Sequence, residues 1–134
     1  MSATKKQRVQ ASGKSRGVAS VRFRDDHLKV IRGLLAEDHD VREGRMFGYP
    51  AFFAGRRMFA CIYGDGVGLK VPPTLVARLI ECGEAIAFRP HGKPTMREWV
   101  QINRSSSSDY VADLDLFLAA KLFVSVDGDE GARP

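Results

Sequence analysis

Apolar residues fall at helical spacing soon after the start of the chain, with Leu28, Ile31, Leu34 and Leu35 recurring every three to four positions behind Asp25 and Asp26. The two acids stand where an N-cap and a first-turn charge belong, so the pattern predicts a helix from Asp25 to about Asp38, mildly weakened by Gly33. The period then changes. Gly44-Arg-Met-Phe-Gly-Tyr-Pro50 and Ala51-Phe52-Phe53 read as one strand running to a turn at Ala54-Gly55-Arg56. Met58–Tyr63 reads as a second strand, Gly64-Asp65-Gly66 as a tight turn, and Val67–Val71 as the returning third strand.

Pro72-Pro73 ends this meander, and Pro73 can open a helix because no backbone donor is missed in a first turn. Leu75, Val76, Leu79 and Ile80 give that helix an apolar face, closed by Cys82-Gly83. Ala85–Phe88 predicts a short strand, Arg89–Pro94 a loop, and Glu98–Ile102 a half-buried strand by its alternation. A serine of 105–108 or Asp109 caps a last helix whose expected inner face is Tyr110, Leu114, Phe117, Leu118 and Leu122. The order is α-β(3)-α-β(2)-α. Strands grouped between helices, without βαβ alternation, predict an α+β fold of two layers, an antiparallel sheet packed with helices.

Charge divides the chain further. The seven cations Lys5, Lys6, Arg8, Lys14, Arg16, Arg22 and Arg24 lie in residues 1–24 with no acid, leaving 14 cations against 16 acids in the rest. The organisation expected is a disordered basic leader over 1–24, one domain over 25–124, and a flexible tail over 125–134. Such a leader is drawn without sequence preference to nucleic acid, or simply keeps the protein soluble. No apolar run is long enough to span a bilayer and no signal-peptide core follows Met1, so a cytoplasmic location is expected. Cys61 and Cys82, far apart and without a CxxC or Cys/His cluster, are expected to be buried, reduced thiols.

Residues 44–71 carry a resemblance. Gly44-Arg-Met46-Phe47-Gly48-Tyr49, an Ala-Gly turn, Met58-Phe-Ala, Gly64-Asp-Gly and Gly68-Leu-Lys-Val71 together resemble the TfoX/Sxy N-terminal domain, with Met96-Arg-Glu-Trp-Val fitting the penultimate strand. The likeness covers about residues 25–124 and extends loosely to YjbR-like domains. It implies the same α-β(3)-α-β(2)-α fold, in a bacterial protein. It also implies a setting in the regulation of competence genes, acting with a transcription activator. Full-length members carry a second, helical domain; the sequence runs to Pro134, so a stand-alone domain is the expectation, and competence regulation is not expected to transfer with the resemblance.

Candidate chemistry is sparse. Met46, Phe47 and Gly48 read as strand-core residues and a glycine kink. Arg45, Arg56, Arg57 and Lys70, interleaved with Tyr49 and Tyr63, can form a basic patch that grips phosphates and stacks bases; scattered solvated cations are the plainer account. With Lys5, Lys6 and Arg8 they are the candidate nucleic-acid or partner contacts. His91 is the most site-like histidine but has no partner for catalysis, while His27 and His39 look like surface. Asp109, Asp113 and Asp115 read as helix-start charges, and Trp99 as a core anchor. No phosphate loop, dinucleotide fingerprint, nucleophile motif or metal spacing is present, so neither an enzyme nor a cofactor is expected. The expectation is a non-catalytic interaction or regulatory module with a protein partner, a homodimer being compatible. The alternative is a nucleic-acid-binding module using the leader and a sheet-edge patch.

Overall fold

The computed structural model describes residues 21–92 and 96–132, with side chains as far as Ser125. The expected α+β class stands. Helix α1 (Asp25–Leu34) precedes four strands, β1 (Val41–Met46), β2 (Tyr49–Ala54), β3 (Arg57–Tyr63) and β4 (Gly66–Lys70). Then come α2 (Pro73–Glu81), β5 (Ile86–Ala87), β6 (Trp99–Ile102) and α3 (Leu114–Ala132). All pairings are antiparallel, in the order β1-β2-β3-β4-β6-β5. The expected three-strand meander is therefore corrected to four strands. Phe47 and Gly48 form a two-residue turn that splits the expected first strand, and Met46 pairs with Tyr49 across it.

Alternation sorts the strand residues onto two faces. Phe52, Ala60, Ile62, Val67, Leu69, Val100 and Ile102 meet the helices in the larger core, together with Ile31 of α1, Leu79 of α2 and Phe117 of α3. Strand β3 departs from simple alternation: Phe52 faces Ala60 while Phe53 faces Met58, so Phe59 is the extra residue of a bulge. The bulge lets Phe59 and Ala60, adjacent in sequence, both join the helix-side core.

The last helix turns a different face inward from the one expected. Tyr110, Phe117, Ala120 and Val124 are buried, whereas Leu118 and Leu122 are exposed, Leu122 at 64%. A short 3-10 helix (Ser107–Asp113) leads into it, and the Asp109 carboxylate accepts the Ser106 backbone N–H in a capping box. The helical backbone runs on to Ala132, through the segment expected to be a tail. At the other end, Phe23, placed by sequence in the leader, bridges to Gly64 and packs on the core, with Arg22 ion-paired to Asp65 at 3.0 Å. Residues 1–20 lie outside the described residues. Among the described residues, no helix is long and apolar enough to cross a membrane.

Two polar groups are buried that the sequence reading placed otherwise, His27 as surface and Asp113 as a helix-start charge. Asp113 is held by Arg104 in a bidentate pair at 2.7 and 2.8 Å, which raises the guanidinium pKa further. His27 has no exposed surface. The Tyr110 hydroxyl donates to the Ile102 carbonyl at 3.0 Å and accepts the Arg104 N–H at 3.2 Å. Its one proton is thus committed, so His27 Nδ1, 3.4 Å away, is the donor of that contact. Among the described residues, His27 Nε2 has no hydrogen-bond partner. Burial, with Arg24 nearby, pushes the His27 pKa below its ordinary 6.5.

Two predictions follow from these groups. A depressed histidine pKa means that the unfolded chain takes the proton first, so stability is complete above about pH 6.5 and declines as the pH falls below it. The melting temperature is expected to drop between about pH 6.5 and 5, above the range where carboxylates titrate, and His27→Leu should flatten that drop. A wild-type curve level across this window would refute it. Asp113→Ala strands the Arg104 charge and is expected to cost roughly 3 kcal/mol in urea unfolding, a loss that Glu84, 3.2 Å from Arg104, offsets only in part.

Candidate functional site

Among the described residues, no α-helix covers the other face of the sheet. Ala51 and Phe53 of β2, Met58, Cys61 and Tyr63 of β3, and Trp99 of β6 point this way and form a second apolar cluster with Phe88 and Met46, and the Tyr49 ring lies beside Tyr63. Glycine makes the packing possible. Gly68 faces Cys61 across the β3–β4 pair, and a Cβ there would lie 3.1 Å from two Phe88 ring carbons and 3.2 Å from the Cys61 sulfur. The Phe88 ring can lie down on β4 only because that position has no side chain. At Gly44 of β1 a Cβ would come within 3.1 Å of the Phe53 ring, which the Arg42 guanidinium covers from 4.5 Å.

Aromatic rings then run in contact across the strands. Tyr49 and Tyr63 are 4.9 Å apart, Phe88 meets Tyr63 edge-on at 5.4 Å, and Trp99 lies 5.4 Å from Phe88. They wall a cavity of about 230 Å³ with the Cys61 thiol at its base and the thioethers of Met46, Met58 and Met96 on its sides. Among the described residues, no Lys, Arg, Asp or Glu side chain lines it.

Two residues in left-handed conformations form its rim. His91 (φ 56°) donates its backbone N–H to the Tyr63 hydroxyl at 2.7 Å and packs its ring against Tyr63 and Tyr49. Phe47 (φ 52°) is 84% exposed at the β1–β2 turn. The two-residue hairpin requires positive φ at both central positions, and Gly48 (φ 89°) meets that requirement without strain. A bulky side chain such as Phe47 is a steric outlier there, costing roughly 1–2 kcal/mol. The reading of Phe47 as a strand-core residue is corrected: it is a strained, exposed ring at the mouth of an apolar cavity.

The candidate cations are not gathered on this face. Arg56 and Arg57 come together at the β2–β3 turn, beside Lys121 and Asp40, on the helix side of the sheet. Arg45 is at the opposite end of β1, where it donates to the Gly48 carbonyl at 2.8 Å and so braces the turn. Lys70 points to the open face and is paired with Glu98 at 3.7 Å. Tyr49 and Tyr63 do lie together, but away from Arg56 and Arg57. Lys5, Lys6 and Arg8 lie outside the described residues. Sequence reasoning missed the cavity itself, since Met46, Phe88 and Trp99 meet only through the strand order.

No catalytic grouping is assembled here. Burial pushes the Cys61 thiol up to about 12, far from the thiolate a nucleophile needs. Among the described residues, no three His, Cys, Asp or Glu side chains could hold a metal ion. Cys82, expected to be buried, is exposed. Iodoacetamide at pH 8 is accordingly expected to modify Cys82 readily and Cys61 only after unfolding, as peptide mass spectrometry would show; equal labelling of both in the native protein would contradict the burial of Cys61.

None of the curated proteins matches this chain. The family model of the TfoX N-terminal domain does match, over residues 33–113, from the end of α1 to the start of α3. That span holds all six strands, the Phe47–Gly48 turn and the ring-lined cavity, and it is more than half of the sequence. The chain belongs to the TfoX N-terminal domain family.

Proposed function

We propose that this chain is a non-catalytic docking module whose open sheet face takes one large apolar side chain of a partner protein. The observation that carries this reading is the uncharged, ring-lined cavity left uncovered beside the exposed Phe47. Apolar surface of this kind is normally buried, and contiguous exposed apolar surface marks interaction sites. Pockets for drug-sized ligands span roughly 300–1,000 Å³. At about 230 Å³ this one has room for a single side chain. Thioether walls suit it to adapt to the shape of its occupant. Regulation through such docking, with a transcription factor as the partner, fits the family and requires no turnover.

A nucleobase suits the cavity less well. Its ring edge carries donors and acceptors that an uncharged, apolar lining leaves unpaired, at a cost of roughly 1–3 kcal/mol for each stranded group. The sheet-edge cations that would grip phosphates are also divided between the two ends and two faces of the sheet.

A titration with N-acetyltryptophanamide followed by backbone NMR tests this reading. Saturable shifts are expected at Met46, Tyr63, Phe88 and Trp99, with roughly millimolar affinity, the scale set by one buried side chain. Met46→Trp, which fills the mouth from within, should abolish them. Shifts scattered over the helix side, or none, would refute it. Phe47→Asn is expected to raise stability by about 1 kcal/mol, because Asn tolerates positive φ, while weakening binding of the same probe. A loss of stability in that variant would show that the Phe47 conformation carries no strain.

A further inference from the structure

The Phe47 ring lines the mouth of the cavity yet keeps 84% of its surface exposed, so it does not plug the cavity of its own chain. Two further exposed apolar side chains flank it, Val21 packed on the Gly48 turn and Met96 on the cavity wall. A projecting ring, a socket and an apolar rim thus share one face.

The turn presents this ring in a fixed position. Met46 pairs with Tyr49 across it, and the Arg45 guanidinium donates to the Gly48 carbonyl at 2.8 Å. Val21 packs against Gly48 so closely that a Cβ there would lie 2.7 Å from a Val21 methyl. These contacts hold Phe47 in its left-handed conformation, and a backbone fixed in advance has little freedom left to lose on docking.

Ring and socket match in size. An apolar cavity of about 150 Å³ is enough to hold benzene. The benzyl group of a phenylalanine therefore fits within the 230 Å³ of this one. Among the described residues the lining carries no charge, so a ring enters without stripping water from an ion. An anchor beside its own socket makes the surface self-complementary: a two-fold axis at the mouth carries each ring to the other copy's cavity.

Area sets the strength of such a contact. Seating one aromatic ring buries about 150–250 Å² of ring and a like area of wall, so a reciprocal pair removes roughly 600–1,000 Å² from water. The exposed Val21 and Met96 side chains bring the total toward the ~1,200 Å² at which stable interfaces begin. A weak, reversible dimer is the outcome, with a dissociation constant of roughly 0.1 mM.

We propose that Phe47 anchors a reciprocal contact between two copies of this chain, each ring seated in the other copy's open-face cavity. This rests on the cavity being a docking site, as argued above. The two uses exclude one another: a partner's side chain enters only where the second copy's Phe47 has left. Self-association therefore caps the site at high concentration, and dilution or a tighter-binding partner uncaps it.

Sedimentation velocity from about 10 µM to about 1 mM should show the full chain passing from monomer to dimer, with its midpoint at roughly 0.1 mM. Excess N-acetyltryptophanamide should return it to monomer, because probe and ring compete for one cavity. Phe47→Asn keeps the cavity and loses the anchor, Met46→Trp keeps the anchor and fills the cavity, and each alone should stay monomeric. Mixing the two restores a single contact. Unlabelled Met46→Trp should shift the backbone resonances of Tyr63, Phe88 and Trp99 in labelled Phe47→Asn with roughly millimolar affinity, and a chain carrying both substitutions should not. A full chain that stays monomeric while the probe still binds refutes the reciprocal contact and leaves the cavity as a docking site. If the chain is monomeric and the probe does not bind, both readings fall together. A dimer that survives Phe47→Asn, or saturation with the probe, is built on another surface and overturns the proposal.

Discussion

The pairing of β3 with β2 and β4 is the constraint on which the rest depends, because this strand supplies both cores. Ala60 and Ile62 go to the helices, Cys61 and Tyr63 to the opposite side, and the bulge at Phe59 adds one more large ring to the helix side. A sheet apolar on one face only would need one helical layer and be finished. Here three helices cover one face, and the other must shield itself with its own side chains and the turn that carries His91. It does so by laying rings flat, which glycine permits at Gly44 and Gly68. The shielding stops short of completion, and the uncovered remainder is the cavity.

Strain and burial are distributed to match. The helix side holds the Arg32–Glu43, Lys121–Asp38 and Arg104–Asp113 pairs and the Tyr110 hydroxyl, which joins β6, the loop at Arg104 and α1. The open side holds, among the described residues, the two non-glycine residues with positive φ, Phe47 and His91. Conformations of this kind persist only where the surroundings enforce them, and they gather where a protein meets its ligands.

Much of the fold was legible because period and breakers are local properties. The helix behind Asp25 and the proline start of α2 needed only the residues around them, as did the Gly-Asp-Gly turn between β3 and β4. The hairpin at Phe47–Gly48 was not legible, since Phe is not a residue that turn chemistry leads one to expect in a left-handed position. In α3, Leu118 and Leu122 were expected inward beside Phe117; the sheet receives Phe117 with Ala120 and Val124 instead, and the small Ala120 lets the helix lie close. The burial of His27 rests on Tyr110, 83 residues away, and no local pattern announces it. The cavity is of the same kind, since Phe88 and Trp99 reach β3 only through the insertion of β6 beside β4.

The bulge at Phe59 also divides β3 into two frames. Cys61 and Ala60 pair with Ala51 and Phe52 of β2 in one frame, while Met58 and Arg57, opposite Phe53 and Ala54, are offset by one. The extra residue is what keeps Met58 with the aromatic rings and Arg57 beside α3. Paired straight through, without the bulge, the same residues would alternate uniformly, carrying Arg57 among the rings and Met58 toward the helices. A substitution in this strand perturbs one contact; a one-residue slip in its pairing exchanges the chemistry of two surfaces. Register, as much as composition, is therefore under constraint in β3.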